Sequence, residues 1–403
     1  MNVGFLRTAL VLGILSCIGP FAIDLYLPAM PQIASDLGTD IAGAQLTFTA
    51  YFVAFGVAQL IYGPLADWIG RKPPIYIGLG VFIAGSLVCM VSPNIGWLTV
   101  GRFTQALGAA AVMVIPRAIV RDLHTGVEAT RLMSLVMLVI SISPMLAPLT
   151  GSAILMVGEW HSIFLALIAL AGVALLLTKT QLPETLHHHH REKINVRRLL
   201  SGCGNLLGNR RFVGLTLIGG FGLASFFVFI ASASFVYMEH YGLTTTGFSL
   251  VFALNAIGFF GASQFAPGFG ARFGLTKTAL FGVCGFATAM LILLALVASG
   301  FDDLEVLMVM FFIGNACLGF VIAPTMVMAL DDHGDNAGLA SSLGGTLQMV
   351  SGGVMIFISG PFFDGTALPM VAAIALCATL SLIFALITLV PRGVTPLPLD
   401  GNE

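Results

Sequence analysis

About twelve runs of roughly twenty apolar residues fill this chain of 403 residues, at roughly 6–27, 45–66, 75–93, 97–119, 132–157, 161–180, 212–237, 247–268, 276–299, 304–329, 338–361 and 368–390. A helix needs ~20 such residues to cross the hydrocarbon layer of a bilayer, so each run is long enough to span it. The runs are too long for strands and lack the alternation of a membrane barrel. The chain is 58% hydrophobic and 9% charged, with a mean hydropathy of +1.00. A soluble domain carries about a quarter charged residues, so this one cannot clothe a water-facing surface. The expected class is an all-α membrane protein with lipid as its solvent.

The 17 Lys and Arg residues fix an expected orientation. Arg71 and Lys72 fall in the second connection, and Arg121 and Arg131 bracket the fourth. Lys179, Arg191, Lys193, Arg197, Arg198, Arg210 and Arg211 lie in or beside the sixth. Arg272 and Lys277 fall in the eighth, and Arg392 follows the last run. The odd connections carry acids instead: Asp36, Asp40, Glu159, Glu239, Asp302, Asp303, Glu305 and Asp364. Cationic loops resist translocation, which places both termini in the cytoplasm. Only Arg7 precedes the first run and no small-residue cleavage site follows it, so that helix reads as retained. No basic run with interleaved aromatics points to nucleic acid. The six cysteines are scattered without a CxxC or disulfide framework and read as packing residues.

The longest polar stretch, 181–211, divides the chain into two six-span halves, 1–180 and 212–403. Gln59 and Gly63 in the second span are echoed by Gln264 and Gly268 in the eighth, each pair followed by a short basic loop. Two parallel repeats with a site at their interface is a transporter architecture.

Three segments sharpen this reading. The second connection reads Gly63-Pro64-Leu65-Ala66-Asp67-Trp68-Ile69-Gly70-Arg71-Lys72 and resembles the G-x-L-x-D-x-x-G-R-K signature of the major facilitator superfamily. The fourth span opens Arg102-Phe103-Thr104-Gln105-Ala106-Leu107-Gly108 and resembles the superfamily's R-x-x-Q-x-x-G motif. Ala22 to Pro31, Pro116-Arg117-Ala118-Ile119-Val120-Arg121-Asp122, Ser143 to Gly151, and Phe252-Ala253-Leu254-Asn255 together resemble the Bcr/CflA group of drug-resistance transporters, bicyclomycin-resistance proteins among them. One departure stands in the fifth span, where Ala147-Pro148 replaces the Gly-Pro of many drug exporters, with Gly151 still small.

The resemblance implies a twelve-span fold in two pseudo-symmetric halves and a proton-coupled exporter of small drugs in a bacterial inner membrane. Its partners would be drug, protons and lipid, and its energy source the proton gradient, with no cofactor. A monomer is the expected assembly. It also implies a cytoplasmic latch of Gly63, Asp67, Gly70, Arg71 and Lys72, with Asp67 facing the N-terminus of the eleventh helix, and a role for Arg102 in proton transfer.

The residues themselves bear on the same roles. Asp24 is the only acid inside an apolar run, Glu305 standing at the very start of the tenth. Desolvation disfavours its charged form, so it can exchange a proton as its exposure changes. The other reading is that it merely ends the first helix at the interface. Arg102 inside hydrocarbon should face the bundle interior and find a partner, unless it snorkels to the surface. Arg117 and Arg121 are four apart on one helix face beside Asp122, which suits either a gate network or an anchor. Candidate substrate contacts are Asp24, Tyr26, Tyr51, Phe55, Gln59, Arg102, Phe226, Phe227, Asn255 and Asn315, because an apolar site with few polar anchors suits lipophilic drugs. Small residues at seven-residue spacing, Gly338, Gly345, Gly352 and Ser359 in the eleventh span and Ser134 and Ser141 in the fifth, read as packing surfaces between the halves.

Two clusters mimic metal sites, His187 to His190 and Asp331-Asp332-His333 with Asp335, but neither has ligand spacing tied to a scaffold, and no metal is expected. No nucleophile elbow, Walker loop or HExxH occurs, which argues against an enzyme and against ATP hydrolysis in this chain. The rival to drug export is proton-coupled export of a small metabolite such as an amino acid. Paired ionic anchors would favour a zwitterion, and few buried charges are on offer.

Overall fold

The computed structural model describes residues 3–186, 191, 195–331, 333 and 337–390. Among them twelve helices are long and apolar enough to cross a membrane. In order they are Phe5–Asp36, Ile41–Ile69, Lys72–Met90, Ile95–Leu123, Gly126–Leu155, His161–Gln181, Arg210–His240, Thr245–Phe273, Leu275–Ala298, Leu304–Asp331, Ala337–Phe362 and Ala367–Leu389. The protein is a multi-pass membrane protein.

Several spans run further than their apolar cores because polar residues cap them. The Asp40 carboxylate accepts from the amide of Gly43 at 2.8 Å, Asn94 from Trp97 at 3.1 Å and Thr244 from Gly247 at 3.1 Å. Each pairs one of the four amides that a helix start leaves without a partner. The first span is broken. Its main helix stops at Asp24, a single 3-10 turn covers Leu27–Ala29, and a short helix Met30–Asp36 completes the crossing. The tenth span breaks likewise between Gly319 and Ile322.

The helix pairing repeats. In the first half the first span packs on the fifth, the second on the fourth and the third on the sixth. Six spans later the seventh packs on the eleventh, the eighth on the tenth and the ninth on the twelfth. Two seams join the halves, the second span against the eleventh and the fifth against the eighth. Part of the polar stretch between the halves folds into a further helix, Val196–Gly208, whose start is capped by the Asn195 side chain.

The small-residue stripes divide differently from expectation. Gly345 faces Gln59 across the halves, but Gly352 faces Phe227 and Gly338 faces open space. Ser134 and Ser141 bond carbonyls of their own helix, while the polar contacts of the fifth span to the eighth are made at Pro148 and Ser152. His187 to His190, Asp332 and Asp335 lie outside the described residues. His333 is occupied structurally, edge-on to Phe212 and within 3.4 Å of the Asn209 amide.

Candidate transport site

The site begins with how closely the third and fourth spans approach. A Cβ at Gly85 would strike the backbone of Gln105 and Gly101, and one at Gly108 the backbone of Gly78 and Phe82. This contact, with small residues on both sides, fixes the fourth helix and with it Arg102. The guanidinium is fully buried, so it does not snorkel. Its Nη1 donates to the Ala22 carbonyl at 2.8 Å and to the Gln105 side chain at 2.6 Å. Gln105 in turn donates to Ser86 at 2.8 Å. Ala22 lies in the last turn of the broken first helix, where carbonyls lack helical partners. The charge sits 4.4 Å from the Tyr51 ring and 4.6 Å from the Tyr26 ring. Nε and Nη2 have no hydrogen-bond partner among the described residues.

Asp24, two residues beyond Ala22, is 4% exposed and makes no hydrogen bond or ion pair among the described residues. It therefore both ends its helix and lies inside the bundle. It is not paired with Arg102.

Between the halves the two ends differ. At the acid-lined end the seam is closed by polar contacts. Gln45 donates to Ser232 at 3.1 Å, the Ser152 and Ser249 hydroxyls meet at 2.7 Å, and Ser249 donates to the Pro148 carbonyl at 2.9 Å. In mid-seam Phe52 stacks on Phe227 with ring centroids 4.1 Å apart, and the Thr346 hydroxyl donates to the Gly56 carbonyl at 2.7 Å. At the Arg-lined end the halves part around a cavity of about 840 Å³ that reaches in to Gln59.

Residues 12–356 match the Major Facilitator Superfamily, which is most of the chain. The chain belongs to that superfamily. It is 35% identical to the uncharacterized MFS-type transporter YdgK of Bacillus subtilis over 380 residues, 93% of each chain. It is 30% identical to the bicyclomycin resistance protein homolog of Haemophilus influenzae, covering 93% of this chain and 94% of that one. It is 30% identical to multidrug resistance protein D of Escherichia coli, over 87% of each. Among solved structures, a mutant of the nucleoside transporter NupG and a D-xylose–proton symporter each superpose with a TM-score of 0.74 at 14% identity. Both alignments cover 96% of this chain and 98% of the other. As a major facilitator the protein is a transporter rather than an enzyme.

Against that identity the signature loop reads clearly. Gly70 sits at φ 101°, a left-handed conformation open to glycine, and turns the chain into the third span. Arg71 is the hub: Nη1 meets Asp67 at 2.5 Å and Nε meets Asp122 at 2.7 Å. Glu184 of the central connection accepts the amides of Arg71 at 2.8 Å and Lys72 at 3.0 Å, and Lys72 Nζ donates to the Leu182 carbonyl at 2.7 Å. Burial pushes the Glu184 carboxyl up, but the amides of Arg71, Lys72 and Leu186, with Arg191 nearby, outweigh it and hold the group below its ordinary range.

Two expectations are corrected here. Asp67 pairs with Arg71 rather than facing the eleventh helix, because the open cavity, bordered by both Asp67 and Ala337, lies between them. Arg117 and Arg121 form no network with Asp122, because Arg71 occupies that carboxylate. Both arginines border the cavity instead, as do Gly63, Asp67 and Arg71.

The expected substrate contacts separate as well. Only Gln59 borders the cavity. Tyr26 is enclosed in the first half against Phe48 and Phe164, and Tyr51 stacks on Phe55. Phe226 packs on Phe252 and Phe259, and Asn315 donates to Asn255 at 3.3 Å within the second half. Asp122, Glu184 and the Gln45–Ser232 and Ser152–Ser249 contacts were not selected from sequence. Asp122 stood in the right motif, whereas nothing in the order of residues ties Glu184 to Arg71, 113 positions away.

Proposed function

We propose that the protein exports small lipophilic drugs in exchange for protons, as a monomer in a bacterial inner membrane with both termini in the cytoplasm. The relatives named for bicyclomycin and multidrug resistance support the substrate class. The cationic loops support the orientation.

The observation that carries the coupling is Asp24, a buried carboxylate without a partner among the described residues, at the end of a broken helix. Two residues away, the same turn is tied through Ala22 to the Arg102 cation. Protonation removes a charge from this low-dielectric site and lets the first span settle differently against the fourth. In the arrangement described, drug enters the Arg-lined cavity from the cytoplasm while the opposite end is sealed. With Asp24 ionised, bound drug favours the converse arrangement, and a proton that Asp24 takes up there from the periplasmic side favours the return and release to the cytoplasm. In the converse arrangement the Phe52–Phe227 floor parts, and Tyr51, Phe55, Phe226, Asn255 and Asn315 come within reach of the cleft. Each charge moved contributes ~2.3 kcal/mol per 100 mV, and each unit of pH gradient ~1.4 kcal/mol.

The test is Asp24→Asn in inverted membrane vesicles, with proton-driven accumulation of a fluorescent drug as readout. Accumulation should vanish while equilibrium drug binding by the purified variant persists. Continued uphill accumulation by the variant would remove Asp24 from the mechanism.

A further inference from the structure

The cavity wall carries more positive charge than orientation requires. Arg117 and Arg121 reach it from the fourth span and Arg198 from the linker helix, placed there by the Asn195 cap. Among the described residues the acid on the wall is Asp67, which is matched by Arg71, itself also held by Asp122. Arg117, Arg121 and Arg198 make no ion pair among the described residues. Retention of basic loops in the cytoplasm accounts for Arg121 and Arg198, at the water-facing end. It does not account for Arg117, one turn deeper, whose Nε is closed to solvent and has no hydrogen-bond partner among the described residues. A half-buried guanidinium left unpaired is costly, and such a group persists where some state of the protein supplies an anion.

The geometry points to an anion subsite at Arg117, flanked by Arg121 and Arg198, that selects substrates with an apolar body and one carboxylate or phosphate group. This deepens the export reading and rests on it. The guanidinium fork suits either oxyanion, and the Ser341 hydroxyl on the same wall can donate to a remaining oxygen. The low-dielectric walls strengthen attraction for an anion and repulsion for a cation. Export of such an anion also runs with an inside-negative potential, so both limbs of the exchange are driven by the same field.

The test is binding by purified protein in neutral detergent, without any gradient. Phenylbutyrate, phenylbutyl phosphate, phenylbutanol and phenylbutylammonium serve as matched probes, read by calorimetry and thermal shift. The two acids should bind roughly tenfold tighter than the alcohol, and the ammonium weakest, since charge-assisted pairs outweigh neutral ones. Arg117→Gln should lower the acids' affinity roughly tenfold and leave the alcohol's unchanged, with Arg117→Lys in between. If Arg117→Gln does not fold, Arg198→Gln on the linker helix should show a smaller loss of the same sign. Repeating the titration in nanodiscs with and without phosphatidylglycerol separates the sources of the anion. Competition in the wild type that disappears in Arg117→Gln assigns the subsite to lipid headgroups as well, and its absence assigns it to soluble acids, both in keeping with an anion subsite. Equal binding of the ammonium, or unchanged acid affinity in both variants, overturns the proposal. Asp24→Asn can shift the balance of arrangements and so scale all affinities together, but the ratio of acid to alcohol affinity should stay that of the wild type, so a failure of coupling and a failure of this subsite read apart.

Discussion

Arg102 shows how a charge is kept inside an apolar bundle with no ion pair among the described residues. Its guanidinium is held by a carbonyl at the end of a broken helix, a glutamine side chain and two tyrosine faces. Each supplies part of what an acid would supply at once, and aromatic faces attract a desolvated cation by about 2 kcal/mol or more. Arg102→Lys keeps the charge but not the planar group that lies over both rings, and should lower the thermal unfolding midpoint in detergent. Arg102→Ala strands the Ala22 and Gln105 acceptors, at about 1–3 kcal/mol for each left unpaired, and should lower it further. If the alanine variant unfolds like the wild type, Arg102 is no structural keystone. The interior position of Arg102 was legible because hydrocarbon leaves a charge few options. Its partners were not, since the free Ala22 carbonyl depends on where the first helix stops. Tyr26 and Tyr51 were selected as drug contacts for being aromatic. Nothing in their sequence context distinguishes a ring that meets a drug from one that meets a guanidinium.

At the scale of helices, hydropathy located all twelve spans but not their ends. Asp40, Asn94 and Thr244 are readable caps that a search for apolar runs passes over. The helix Val196–Gly208 was absorbed into a polar stretch because it is amphipathic rather than apolar. The contact of the third and fourth spans yields a sharp prediction. A methyl at Gly108 would meet the backbone of Gly78 and Phe82, which cannot yield as a side chain can. Gly108→Ala should therefore destabilise by about 1–3 kcal/mol in thermal unfolding, whereas Gly80→Ala, with open space around it, should be near neutral. The clasp between the signature loop and the central connection depends on pH. Glu184 has its carboxyl held below the ordinary value of 4.5, so its contribution is complete above that value and fades as pH falls through the depressed one. Hydrogen exchange at the Arg71 and Lys72 amides, corrected for intrinsic rates, should show protection at neutral pH that is lost only in acid below about 4.5. Glu184→Gln should weaken that protection at neutral pH and remove its dependence on pH through the acid range. Identical protection in the variant would mean the carboxylate charge is not what holds the loop.

For the whole molecule, the repeated pairing of spans explains why a twofold plan was readable from one polar stretch and a faint echo of Gln59 and Gly63. The direction in which the halves part was not readable, because it depends on contacts between residues about a hundred positions apart, such as Ser152 with Ser249. Those two hydroxyls, 2.7 Å apart on the fifth and eighth spans, sit at the sealed end. Alternating access requires them to separate once in every cycle, as rocking of one half against the other opens that end. Ser152→Cys with Ser249→Cys places two thiols where a bond can close with little movement of either helix. Oxidation should then stop drug efflux from cells and reduction restore it, with the single-cysteine variants unaffected. In the oxidised protein a thiol placed by Gln59→Cys should remain open to a polar reagent added from the cytoplasmic side, because the Arg-lined cavity is fixed open. Efflux at the wild-type rate through a fully cross-linked protein would show that the fifth–eighth seam does not part, and that substrate leaves by another route.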